Sequence, residues 1–212
     1  MNQEKLELIT DFYEFTMSNG YLLKNMNDIA YFDVFFRSVP DKGGYAIVAG
    51  LEQVIEFIEN LKFDDEDIKY LRERNIFSEE FLDYLKNFKF SGDIWAIPEG
   101  TVVFPREPLI TVRAPIIEAQ LLETMLLLII NHQSLIATKT NRIVREAKGR
   151  PVMEFGARRA HGTAAAVYGA RAAIIGGAVG TSCTLTAQKF NIPASGTMAH
   201  SWIQSFDSEY EE

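Results

Sequence analysis

Beyond Pro151 the chain alternates short apolar runs with glycine-rich turns and alanine-rich stretches, and this alternation restricts it to a parallel-sheet architecture. The runs are Val152 to Phe155, Ile174 to Val179 and Ala194 to Met198. Each is apolar enough to predict a strand covered on both faces, with Ala-rich helices between. A closed βα barrel takes about 250 residues, whereas residues 151–212 hold three predicted strands. Three strands do not close a barrel, and a doubly wound sheet of three is small. The reading is therefore of the N-terminal part of a larger enzyme, or of a chain that takes its missing strands from another polypeptide.

The preceding residues read as a separate architecture. Thr10 or Asp11 is placed to cap a helix whose main stripe is Phe12, Phe15, Asn19, Leu22 and Leu23, with Tyr13 beside it. Ile29 to Arg37 and Tyr45 to Ala49 predict strands joined by an Asp41-Lys42-Gly43-Gly44 turn. Leu51, Val54, Ile55, Ile58 and Leu61 follow helical spacing, and Asp64 and Ser78 are caps for two further short helices. Those helices send Ile68 and Leu71, and Phe81, Leu82 and Leu85, toward the core. Gly92 to Pro115 predicts a β-rich insertion; Ile116 to Asn131 and Ser134 to Lys148 predict two helices, the second ending at Gly149.

Charge is distributed unevenly. Residues 1–138 carry 12 basic and 23 acidic groups, whereas residues 139–171 carry eight basic groups against Glu146 and Glu154. An acidic protein with one basic locus points to a small anionic ligand more than to nucleic acid, which needs a broad basic face; the competing reading is a solvated basic helix face. Met125 to Ile130 is the longest strictly apolar part of the richest helix, and Glu118, Gln120 and Glu123 interrupt the stretch before it, so no bilayer span is expected. Met1 to Lys5 lacks the basic and then apolar regions of a signal peptide, and the lone Cys183 allows no internal disulfide. A cytoplasmic protein with Cys183 as a small buried side chain is the expectation.

The segment Ala194 to Trp202 places an imidazole and hydroxyls at a predicted strand end, where α/β enzymes keep their chemistry. Neutral imidazole acts as nucleophile or base near pH 7 without a large pKa shift, which singles out His200. Gly196 lets backbone approach a ligand, Thr197 offers a hydroxyl, and Ser201 suits a phosphate oxygen. Against this stands the ordinary structural histidine. Arg158-Arg159 follows the first predicted strand and suits bidentate phosphate binding, or else one arginine pairs with Glu154 and the other is solvated. Gly176-Gly177 and Gly180-Thr181-Ser182 suggest an anion-binding turn with Ser182 as helix cap, or simply close packing. His132 and His161 have no partners at metal-site spacing, and a Ser201, His200, Asp207 triad is disfavoured because adjacent strand residues face opposite ways.

With these residues in place, the chain resembles the nicotinate phosphoribosyltransferase family. The resemblance is carried by Leu8 to Tyr13, Phe35-Phe36-Arg37, Gly43 to Leu51, Glu154 to Ala160 and Gly196 to Ser201, in the family's order. It implies an α/β fold: an N-terminal α/β sandwich with a helical linker over residues 1–131, then the first strands of an irregular, incomplete α/β barrel over residues 132–212. It implies transfer of a ribosyl phosphate from phosphoribosyl pyrophosphate to nicotinate, giving nicotinate mononucleotide and pyrophosphate in NAD synthesis, coupled to ATP hydrolysis with Mg2+. His200 would carry the phosphoryl group as phosphohistidine, Tyr13 and Thr197 would contact nicotinate, and Arg158 and Arg159 would sit near phosphate or the pyridine carboxylate. A head-to-tail homodimer is implied for the complete protein. The family's later barrel strands, which carry further phosphate loops and a nicotinate arginine, have no counterpart in this sequence. A noncatalytic subunit needing a complementary chain, and a preference for nicotinamide, remain the alternatives.

Overall fold

The computed structural model describes residues 5–39 and 43–208. It divides between Thr138 and Lys139 into two compact units, at the position where the charge reverses. The expected Asp41-Lys42 turn and the first four residues lie outside the described residues.

In the first unit, α1 (Phe12–Leu23) follows Asp11, whose side chain caps nothing, while the Thr10 hydroxyl donates to Glu14. The buried residues of α1 are Glu14, Phe15 and Ser18; of the expected stripe Phe15 is buried and Leu22 packs against the core, whereas Phe12 is exposed although its ring meets Phe77 edge-on at 5.8 Å. A carboxylate can enter the interior here because hydroxyl donors meet it there. Strands β1 (Ile29–Val34), β3 (Asp93–Ala96) and β5 (Ile110–Pro115) form an antiparallel sheet in the order β1-β5-β3. Along β5, buried Ile110, Val112 and Ala114 alternate with partly exposed neighbours, the period-2 signature of a sheet with one face on the core. Residues 92–115 are thus no insertion: β5 is the central strand, and β4 (Val102–Val103) pairs with β2 (Ala46–Ile47). Antiparallel pairing across so long a stretch of chain leaves no local signal.

The other edge of β2 is met by side chains. The Ile47 and Ala49 amides donate to the hydroxyls of Thr138 and Ser134 at 2.8 and 3.0 Å, and Ser134 donates back to the Ala49 carbonyl at 3.1 Å. Helix α2 (Leu51–Asn60) begins after Gly50, at φ +109°, where a Cβ would meet Ile129 Cγ2 at 2.9 Å. The Glu99 carboxylate, remote in sequence, accepts from the Gly50 and Leu51 amides and caps this helix. Gln53, Val54 and Phe57 form its buried face, and Ile55 points outward instead. Helices α3 (Asp65–Arg72) and α4 (Glu79–Lys86) are capped by Asp64, in a reciprocal box with Asp67, and by Ser78, with the expected inward faces.

Helices α5 (Ile116–Gln120) and α6 (Glu123–Glu146) break at Leu121-Leu122 rather than at 132–133. Gln133, expected between the helices, and Ser134, expected to start the second, are both buried within α6; Gln133 donates to Gln53 at 2.9 Å. The stretch Ile116–Glu146, at 31 residues, is long and apolar enough to cross a membrane by length and composition, contrary to the sequence reading, yet half of its apolar window is buried in the protein. Its partnered buried Gln and Ser are those of a core helix.

The second unit has a parallel pair, β6 (Met153–Glu154) and β7 (Gly180–Thr181), extended by a single parallel bridge from Thr181 to Ala194. Between them run α7 (Thr163–Ile175) and α8 (Thr184–Phe190). The second strand lies later than predicted: Ile174 and Ile175 finish α7, Gly176 and Gly177 turn the chain, and β7 starts at Gly180. Alanine-rich helix and buried strand are equally apolar, so composition does not mark their boundary. At Gly180 a Cβ would meet Met153 Cε at 2.7 Å and the Pro193 carbonyl at 2.8 Å, so the three segments approach as only glycine permits. The third predicted strand shrinks to one bridge, and the described residues close no barrel.

Candidate active site at the strand ends

Because the three segments of the second unit run parallel, their carboxyl ends emerge together. The ladder consists of Val179 to Val152, Ser182 to Glu154, Thr181 to Pro193 and Ser195 to Thr181 amide-to-carbonyl bonds of 2.9 to 3.1 Å. Past β6 the chain turns through Gly156 into a 3-10 turn, Ala157–Arg159, with both arginines exposed. Past β7 come Ser182 and Cys183; Cys183, not Ser182, occupies the N-cap of α8, and it is partly exposed rather than buried. Past Ala194 an exposed segment carries Thr197 to a last short helix, α9 (His200–Ile203). His200 therefore opens a helical turn rather than ending a strand, and Ser201 follows it, both exposed. The strand-alternation argument against a Ser201, His200, Asp207 triad does not apply to a helix, but no hydrogen bond joins these three among the described residues. Arg158, Arg159, Thr197, His200 and Ser201 thus all follow the carboxyl ends of one small sheet, in the turns and short helix that leave it.

Glu154 decides between the two readings of the arginine pair. Its Oε1 accepts from the Gly156 amide and its Oε2 from the Thr181 hydroxyl at 2.6 Å. Among the described residues no ion pair involves Arg158 or Arg159. Two adjacent exposed guanidinium groups without an internal counter-charge attract anions.

Tyr13 belongs to the first unit. Its hydroxyl donates to Glu123 Oε1 at 2.7 Å, and Gln120 donates to Glu123 Oε2 at 2.7 Å. That carboxylate, and then partial burial, hold the phenol's pKa well above the ordinary tyrosine range. Beside it, Glu14 is fully buried and accepts from the hydroxyls of Thr10 and Thr124 and from the Thr124 amide at 3.2 Å. Burial pushes the Glu14 carboxyl pKa up, with the charge of Glu123 adding to it and the hydroxyl donors opposing. Sequence reasoning missed Glu14, and it named Glu123 only as a break in an apolar run and Thr181 only as part of a turn, without the Tyr13 and Glu154 partners they have; the one available signal was a charged or polar residue interrupting an apolar run.

His132 is half-buried on α6, where burial lowers its imidazole pKa, and His161 is exposed. Glu7, Asp64 and Asp67 bring carboxylate oxygens within 4.8 Å of one another, but Lys5 pairs with Asp64 at 2.5 Å, and Asp64 and Asp67 cap α3.

The model for the nicotinate phosphoribosyltransferase N-terminal domain matches residues 8–131, and that for the nicotinate phosphoribosyltransferase family matches residues 151–211. The chain belongs to the nicotinate phosphoribosyltransferase family. It is 52% identical over 202 residues to the nicotinate phosphoribosyltransferase pncB2 of Mycobacterium tuberculosis, covering 95% of this chain and 44% of that protein. The nicotinate phosphoribosyltransferase of Bacillus subtilis is 45% identical over 208 residues, 98% of this chain and 42% of its own length. The crystal structure of human nicotinic acid phosphoribosyltransferase matches with TM-score 0.87 at 33% identity, covering 94% of this chain and 41% of that one. A nicotinate-nucleotide pyrophosphorylase structure from Pyrococcus furiosus matches with TM-score 0.77 at 28% identity, covering 97% and 46%. The fold is therefore that of this phosphoribosyltransferase family, and the chain spans less than half the length of these relatives.

Proposed function

We propose that this chain serves nicotinate phosphoribosyl transfer: nicotinate and phosphoribosyl pyrophosphate give nicotinate mononucleotide and pyrophosphate, coupled to ATP hydrolysis. The observation that carries the reading is the 52% identity to a protein of that name across almost the whole chain. The strand-end loops supply groups of the right kind. Arg158 and Arg159 would bind phosphate or the pyridine carboxylate bidentately, Thr197 and Tyr13 would contact nicotinate, and Ser201 would hold a phosphate oxygen. His200, exposed at the start of α9, would accept the γ-phosphoryl group of ATP as phosphohistidine. The protein's part is orientation and electrostatic stabilisation of departing pyrophosphate and an oxocarbenium-like ribosyl centre. Mg2+ would screen the phosphates. Both oxygens of Glu154 are taken, so among the described residues the β6 end offers guanidinium groups and no free carboxylate.

The test supplies labelled nicotinate, phosphoribosyl pyrophosphate, ATP and magnesium to the native protein and to His200→Ala, and measures nicotinate mononucleotide. Product from the native protein, with ATP coupling lost in the variant, is expected; equal coupling in both would remove His200 from the reading. Coverage of only 44% of the mycobacterial relative favours a second reading, in which product appears only after a complementary chain is added. A cytoplasmic location and a homodimeric complete protein belong to the same proposal.

A further inference from the structure

Glu154 is the only acidic residue of the strand-end segment 151–159, yet it faces no arginine in that segment. One oxygen holds the Gly156 amide, which begins the turn bearing Arg158 and Arg159; the other holds the hydroxyl of Thr181, a fully buried residue at the end of β7. Thr181 Oγ1 in turn accepts from the Cys183 amide at 2.9 Å, which begins the next strand-end loop. The two loops are therefore joined through one carboxylate and one hydroxyl. A Cβ at Gly156 would stand 2.8 Å from Glu154 Oε1, so the turn lies close against that carboxylate.

We propose that Glu154 is a positioning residue that fixes the Arg158-Arg159 turn against the end of β7 and so sets the geometry in which the two guanidinium groups meet an anion. The idea rests on the proposed anion-binding role of those arginines. It requires a carboxylate in particular. Two donors converge on two acceptor oxygens, whereas a glutamine presents one acceptor and one further donor. Thr181 already accepts from Cys183, so a glutamine amide pointed at it would leave the threonine proton without an acceptor.

The experiment uses the whole chain with Glu154→Gln, Thr181→Val, the double variant, and Thr181→Ser, which keeps the hydroxyl. Amide hydrogen exchange is read at Gly156, at Cys183 and at Ala170 to Ala173 of α7, and affinity is measured with inorganic pyrophosphate as probe. Expected are faster exchange at Gly156 and Cys183 with α7 unchanged, and about tenfold weaker pyrophosphate binding in Glu154→Gln and Thr181→Val, the scale of one hydrogen bond to a charged group. The double variant should lose no more than either single one, and Thr181→Ser should behave as the native chain. Unchanged exchange at Gly156, faster exchange throughout α7, or losses that multiply in the double variant would each overturn the proposal. If the native chain binds no pyrophosphate, the anion role of the arginines falls, and exchange at Gly156 still decides whether Glu154 holds the turn.

Discussion

Glu14 is a carboxylate in a place where burial should forbid one, and its titration should be visible in the stability of the protein. Its folded-state pKa is raised, so in the window between the ordinary carboxylate pKa and the raised value the folded state binds more protons than the unfolded one. Stability contributed through Glu14 is therefore greatest below the ordinary pKa and declines as pH rises through that window. Glu14→Gln should flatten this part of the pH–stability curve in chemical denaturation; an unchanged slope would mean the carboxyl ionises as freely folded as unfolded. Glu14→Leu, by contrast, leaves the Thr124 donors facing an alkyl group and should cost about 1–3 kcal/mol. Little of this was legible beforehand. Tyr13, Arg158 and His200 stand out by residue type, but Glu14 and Glu123 each have, besides a local donor, a partner 110 residues away, and a sequence gives no sign of which carboxylates meet donors at that distance.

At the scale of elements, sequence patterns were read well where the signal is local. The caps Asp64 and Ser78 and the buried faces of α3 and α4 follow from a side chain and a spacing within one turn. They were misread where the partner is remote: β5 becomes central only by pairing with β1, and α6 runs on through Gln133 and Ser134 because Gln53 and Ala49 receive them. Helix α2 shows the same dependence, since Gly50 lacks a capping side chain and Glu99 supplies the acceptor. Glu99→Ala should cost about 1 kcal/mol, as other lost N-caps do. Gly50→Ala should cost more, about 1–3 kcal/mol, because φ is +109° and the new methyl would meet Ile129. Denaturant midpoints would check the order; a harmless Gly50→Ala would show that α6 can give way at Ile129.

Across the whole molecule, burial and charge are unequally shared. Buried apolar side chains concentrate before residue 138, whereas residues 193–202 are exposed throughout. Hydrogen exchange should therefore find the amides of 196–206 open long before those of β5 or α6; equal protection would contradict the burial described. The basic block of residues 139–171 in an otherwise acidic chain should make pyrophosphate binding weaken with added salt, and salt-independent affinity would separate that binding from the block. Parallel order has a last implication. When successive strands all point the same way, any further strand–helix unit delivers its loop to the rim that already holds Arg158 and His200, and leaves the packing beneath them as it was. Such a scaffold can gain chemistry by lengthening, with nothing already in place rebuilt.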